Sequence, residues 1–274
     1  MDNTLMKELK NTATKIRMGI IESTYNAKSG HPGGSLSIED VLAYLYFEKM
    51  NIDPENPEMA NRDRFVLSKG HCAPALYSAL ALRGFFPVDD LKMLRKTGHY
   101  LQGHPCIKIS GVDMSSGSLG QGSSVACGMA LSAKHFGDTY KVYTICGDGE
   151  IEEGQVWEAA MFAGNKKLSN LVAFIDSNGL QIDGTVDEVN SPRPIDKKFE
   201  AFNWHTIVID GHDFNQIESA VKEAEQIDKP VAIIMNTVKG KGVSFMENQV
   251  SWHGSAPNAE QYEQAMSELK AQLQ

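Results

Sequence analysis

The sequence predicts an α/β fold, a mostly parallel sheet with helices on both faces, on three observations. Short apolar runs rich in β-branched residues alternate along the chain with stretches of helical period. Two of those runs, Val142-Tyr143-Thr144-Ile145-Cys146 and Leu171-Val172-Ala173-Phe174-Ile175, are apolar almost throughout, as strands covered on both sides are. Both stop abruptly at turn-forming polar residues, Gly147-Asp148-Gly149 and Asp176-Ser177-Asn178-Gly179. In an open parallel sheet the ligand lies beyond such carboxyl ends.

Taken in order, residues 5–27 carry Leu5, Leu9, Ile16, Ile20 and Ile21 at near-helical spacing and predict an opening amphipathic helix. It runs into Lys28-Ser29-Gly30-His31-Pro32-Gly33-Gly34, a loop in which backbone can approach a ligand closely. Ser37 to Asp40 has the form of a capping box ahead of a second helix through Val41 to Leu45. Residues 51–61 hold two prolines among polar residues and predict an irregular connection. Residues 64–68 form a strand that enters Lys69-Gly70-His71, followed by a helix through Leu76, Leu80 and Leu82.

Residues 97–116 have little periodicity and centre on Gly103-His104-Pro105; loops of this length in a compact domain tend to be functional. Gly117-Ser118-Leu119-Gly120-Gln121-Gly122 opens a tightly packed helix whose amino end suits an anion. Beyond Asn178, residues 180–184 predict a turn held against the site, and Pro192 and Pro194 another loop. Strands at 206–210 and 231–236 flank a helix at 214–226; Trp252-His253-Gly254 lies in a loop, and a closing helix begins near Asn258.

A chain of 274 residues suits one large domain, here 1–274, without a linker or repeat. The net charge of −9, with no basic run to offset it, argues against a nucleic-acid partner. No signal peptide and no apolar run of membrane length is visible, so a cytoplasmic location is expected, with no membrane contact. Cys72, Cys106, Cys127 and Cys146 form no C-x-x-C pair, which makes buried, reduced thiols the default.

The chemistry concentrates at the two polar strand ends. Asp148 and Asn178 stand 30 positions apart, about one βαβ unit, which sets their oxygens side by side at one sheet edge. A carboxylate and an amide oxygen there make part of a shell for Mg²⁺, which leaves its other positions to water and phosphate. A single Gly-Asp-Gly is most often a turn; the second strand end adds the weight. No G-x-x-x-x-G-K-[ST] loop is present, and residues 117–122 read G-x-x-G-x-G, not the dinucleotide fingerprint. His31, His71, His104 and His253, four of the eight histidines, lie in Gly-rich or Pro-containing loops and together indicate a shared polar pocket.

Ser29 to Gly34, Leu67 to His71, Gly103-His104-Pro105, residues 117–122, Gly147-Asp148-Gly149 with Asn178, and Trp252-His253-Gly254 occur in this order in transketolases, and the chain resembles the amino-terminal third to half of that family. The resemblance implies the fold of the domain that binds the diphosphate of thiamine diphosphate. It implies Mg²⁺, or another divalent cation such as Ca²⁺ or Mn²⁺, on the side chains of Asp148 and Asn178 and the Leu180 carbonyl. Gly149, Glu150 and His253 would lie near the diphosphate, the backbone of Gly117, Ser118 and Leu119 over the cofactor rings, and Glu153 at a subunit contact. His31, His71 and His104 would hydrogen-bond the donor ketose, with His71 also near the cofactor, and His253 would join these three as a catalytic residue from its place near the diphosphate. Neutral imidazoles suit that work, donating to an oxygen that gains charge and then taking a proton back.

The implied reaction is ketol transfer: a two-carbon glycolaldehyde unit passes from a ketose or ketose phosphate to an aldose or aldose phosphate. Full-length members continue into a pyrimidine-binding domain and a third domain, and those, with most of the phosphate-gripping arginines, are expected on a separate carboxyl-terminal chain in an α2β2 heterotetramer. The donor and acceptor are open among pentose phosphates and branched or sulfonated sugars. Deoxyxylulose-phosphate synthase and the 2-oxoacid dehydrogenases share the Gly-Asp-Gly and Asn pair but differ in the histidine loops. A non-catalytic thiamine diphosphate-binding regulator is the reading from another class.

Overall fold

The computed structural model describes all of residues 1–274. Helix α1 (Asn3–Ala27) is capped by the Asp2 carboxylate, which accepts from the backbone N–H groups of Thr4 and Leu5, and it buries Leu9, Ile16, Ile20 and Ile21. A single turn, α2 (Pro32–Ser35), and a short helix, α3 (Glu39–Tyr44), follow it. No capping box forms at α3: the Ser37 hydroxyl turns instead to the Asp176 carboxylate, 2.6 Å away, with Gly34 O at 2.9 Å. A buried carboxylate 139 positions away outbids a local helix terminus, which no local pattern reveals.

Strand β1 (Arg64–Leu67) leads to α4 (Ala73–Arg83); the stretch from 97 to 116 is irregular, as its sequence indicates. Then come α5 (Gln121–Phe136), β2 (Val142–Gly147), α6 (Gly154–Lys166) and β3 (Leu171–Ser177). The turn expected at residues 180–184 is a tight hairpin of β4 (Leu180–Gln181) and β5 (Gly184–Thr185). Two short helices, α7 (Val186–Asn190) and α8 (Ile195–Ala201), flank the loop that holds Pro192 and Pro194. The chain closes with β6 (His205–Asp210), α9 (Phe214–Ala224), β7 (Val231–Asn236) and α10 (Ala259–Ala271).

Five strands form one parallel sheet in the order β1-β2-β3-β7-β6. Because a strand alternates its faces, Tyr143, Ile145, Val172 and Phe174 point into a core shared with α1, α3, α4, α9 and α10. Val142, Cys146, Ala173 and Ile175 point the other way, into a second core under α5, α6 and α8. Both faces are covered, so the strands read as continuous apolar runs. Gly147 pairs with Asp176, and Ser177 with Asn236, so β2, β3 and β7 end level at one edge. No helix is long and apolar enough to cross a membrane.

Candidate active site

At that edge lies a cavity of about 280 Å³ lined by residues from seven separate segments, among them His31, Lys69, His71, Gly117, Leu119, Asp148, Gly149, Glu150, Asn178, Leu180, Lys239 and His253. His104, Ser118 and Glu153 do not line it. His104 packs its ring beside Gly117, Ser118 accepts a hydrogen bond from Gln121 Nε2, and Glu153 is exposed at the start of α6.

On the strand side, Asp148 is buried and accepts hydrogen bonds from Gly149 N at 2.9 Å and Gly179 N at 2.6 Å. Burial and the neighbouring Asp176 push its carboxyl up to about 6. Asn178 accepts at Oδ1 from Leu180 N at 3.1 Å and donates from Nδ2 to Asp176 at 2.8 Å. Asp176 is wholly buried and gathers three further donors: Lys69 Nζ at 2.5 Å, Ser37 Oγ at 2.6 Å and the Thr237 hydroxyl. Burial works against its charge, but Lys69 and these donors outweigh it and hold the carboxylate below its usual range.

Three histidines cluster in the same cavity. The ring centres of His31 and His71 are 5.2 Å apart, His71 and His253 5.3 Å, and His31 and His253 5.6 Å. Burial, then the surrounding positive charge, lowers His31 and His71 to about 4 and His253 to about 3, so all three are neutral at physiological pH. His31 Nδ1 is buried with no partner. His104 is lowered by burial and by Arg95.

Backbone proximity shapes the wall between these groups. A Cβ on Gly70 would fall 2.8 Å from Gly117 N and 2.6 Å from Ser116 Oγ, so only glycine lets the two loops meet. Glu150 then fastens them: its buried carboxylate accepts from Ser68 Oγ at 2.5 Å, Gly120 N at 2.9 Å and Gly147 N at 2.9 Å. The anion at the amino end of α5 is thus the protein's own, and Glu150 lines the cavity as a strut between loops.

Four contributors escape the sequence reading. Lys69 and Lys239 are buried; Lys239 Nζ donates to the Leu180 carbonyl and lies against His253 Nδ1, each at 2.9 Å, without a carboxylate partner. Asp176 sits one step inside the strand end. Arg95 holds a left-handed backbone, φ 59°, with Nε buried and unpartnered, and its charge bears on both His31 and His104. Lys239-Gly240-Lys241-Gly242 does mark a loop after a strand, but which lysine turns inward depends on the path of that loop.

Residues 9–272 match the family model of the transketolase thiamine diphosphate binding domain. The chain belongs to the transketolase family. It is the amino-terminal, thiamine diphosphate-binding domain of that family, and its sheet and helices are those of the solved members. It superposes on transketolase from Campylobacter jejuni with a TM-score of 0.92 at 33% identity, covering 98% of this chain and 43% of that one. It is 43% identical to mouse transketolase over 100% of its own length and 44% of the relative's. Two relatives are of its own size. It is 48% identical to 6-deoxy-6-sulfo-D-fructose transketolase subunit SqwG of Clostridium sp. (strain MSTE9), over 96% of each chain. It is 42% identical to one of the subunits of apulose-4-phosphate transketolase from Phocaeicola vulgatus, over 98% of this chain and 96% of the relative. The transketolase features lie on a chain spanning under half of the full-length enzymes and nearly all of the subunits.

Proposed function

We propose that this chain is the cofactor-binding subunit of a two-chain transketolase, with residues 1–274 forming one thiamine diphosphate- and Mg²⁺-binding domain whose catalytic site a separate chain completes. The observation that carries this is one cavity lined both by oxygen donors and by three clustered neutral histidines, in a chain the length of transketolase subunits.

The donor set suits the group. Asp148, Asn178 Oδ1 and the Leu180 carbonyl are all hard oxygen ligands, which Mg²⁺ prefers, and Ca²⁺ or Mn²⁺ accepts the same set. Asp148 is buried close to Asp176, and a cation beside it would offset that crowding of negative charge. Lys239, a buried ammonium with no carboxylate, and the close backbone approach that Gly117 and Gly149 allow on the cavity wall suit a diphosphate. When bound, thiamine diphosphate supplies the electron sink for breaking and making the carbon–carbon bond.

The chain's own groups do the rest. His31, His71 and His253 hold the sugar hydroxyls and carbonyl oxygen, and being neutral, each can donate a hydrogen bond or accept a proton. His104, beside Gly117, extends that set toward the substrate side, and Arg95 offers a cation to an anionic donor. Glu150 fixes the wall loops, while Gly117, Ser118 and Leu119 form the rim. Glu153 and the exposed Leu119, Met161, Phe162 and Ile182 belong to the surface the partner chain and a second copy cover, giving an α2β2 assembly. Work in the cytoplasm fits these free thiols.

The experiment is to tag the chain in its own cells, recover the companion, and assay the pair for ketol transfer from 6-deoxy-6-sulfofructose, apulose 4-phosphate and pentose phosphates. A stoichiometric companion with transfer that requires thiamine diphosphate and Mg²⁺ is expected. A chain that arrives alone and binds the cofactor without transfer would overturn the proposal in favour of a regulatory domain.

A further inference from the structure

His212 stands outside the cavity, in the loop after β6, yet it is wired to it. Its Nε2 accepts a hydrogen bond from Val238 N at 2.9 Å, and its Nδ1 lies 2.8 Å from Asp40 Oδ2. A backbone N–H can only donate, so Nε2 must present its lone pair and Nδ1 must carry the proton given to Asp40. That one tautomer is fixed at both ends.

The contact reaches back into the core. Asp40 Oδ2 also accepts from Arg17 Nη2 at 2.7 Å, and the same nitrogen lies 2.5 Å from Glu39 Oε1. Arg17, Glu39 and Asp40 are buried, so α1 and α3 anchor the imidazole in a place that cannot shift without exposing charge. The ligating atoms of Glu39, Asp40 and His212 lie within 4.8 Å of one another, a spacing that also suits a metal, but the guanidinium already fills that place.

It also reaches forward. Val238 is followed by Lys239, whose Nζ meets Leu180 O and His253 Nδ1. Gly240 N bonds Gly33 O, two residues from His31. The loop carrying the Lys239 ammonium is thus held at Val238 by the imidazole, between the Thr237 hydroxyl on Asp176 and Gly240 N on Gly33 O.

We propose that His212 is a positioning residue: held by Asp40, it fixes the Val238 backbone so that the Lys239 ammonium points into the cavity. This rests on the cofactor reading for its consequence, but its geometry does not.

Two measurements test it. Calorimetric binding of thiamine diphosphate with Mg²⁺ to the full chain, with its companion chain present, is compared for wild type, His212→Asn, His212→Gln and each in a Lys239→Ala background. Asn puts a donor near Nδ1 but nothing near Nε2, whereas Gln brings an amide oxygen toward Val238. His212→Asn should weaken binding on the order of tenfold, His212→Gln should recover most of it, and in the Lys239→Ala background His212→Asn should change affinity by less than about twofold.

Hydrogen exchange over residues 237–242, without cofactor, should rise in His212→Asn and not in His212→Gln. Equal losses with and without Lys239, or rescue by Asn and not Gln, would overturn the proposal. If wild type fails to bind the cofactor while exchange behaves as stated, the cofactor reading falls and the positioning role stands.

Discussion

Asp176 Oδ2 accepts a hydrogen bond from Asn178 Nδ2 at 2.8 Å, and this contact decides which end of the Asn178 carboxamide is the acceptor on the Leu180 side. An amide is ambiguous in shape but not in chemistry. A carboxylate at its back forces nitrogen there and leaves oxygen forward. Lys69, Ser37 and Thr237 in turn keep Asp176 ionised. Asp176→Asn should therefore reduce metal affinity on the order of 10- to 100-fold, measured by Mn²⁺ titration. It should also cost about 3–5 kcal/mol of stability, because Lys69 is left buried without its counter-charge. Unchanged metal affinity would mean that the amide is oriented some other way.

Asp148→Ala removes the one carboxylate of the proposed metal set. Cofactor binding should lose its dependence on Mg²⁺, read by calorimetry with and without chelator. Undiminished Mg²⁺-dependent binding would remove Asp148 from the set.

Gly70→Ala tests the junction of the two loops. The new Cβ meets Gly117 N at 2.8 Å, so the wall must open. The overpacking should cost about 1–3 kcal/mol and weaken cofactor binding by more than Asp2→Ala, a cap variant remote from the site. Denaturant midpoints and cofactor titrations of both variants give the comparison.

His31, His71 and His253 set an acid limit. Each is held below its ordinary value, so the unfolded chain takes up protons before the folded one does. Their contribution to stability is full above about pH 6.5 and drains away as pH falls toward the values of about 4 and 3 at which the folded rings protonate. A variant with Asn at all three positions should lose stability less steeply than wild type between pH 6.5 and 4, measured by thermal melts across that range. Parallel curves would show that the rings are not held neutral.

Much of this was legible in the residues, for a physical reason. Asp148 and Asn178 stand at the ends of apolar strands, and strand ends are marked by composition on both sides. The histidine loops are marked by the glycines around them. What stayed hidden depends on distant partners. Ser37 looked like a helix cap until Asp176 was placed beside it. The roles of Lys69 and Lys239 leave no mark in the sequence, since a buried lysine differs from an exposed one only in what folds over it. The short helices at 186–190 and 195–201 are about one to two turns each, too short to display a period. His212 shows no sign of its role in its own neighbourhood.

The charge of the chain has a kinetic consequence. The molecule as a whole carries −9, while its cavity holds Lys239, a buried ammonium with no carboxylate partner, beside Lys69, whose charge Asp176 offsets. An anion in solution is thus turned away at long range and drawn in only over the last few ångströms. Added salt shortens the reach of the repulsion to about 8 Å at physiological strength but screens the buried Lys239 ammonium far less. Anionic ligands should accordingly be captured faster as ionic strength rises from very low values, the reverse of the usual behaviour of an oppositely charged pair.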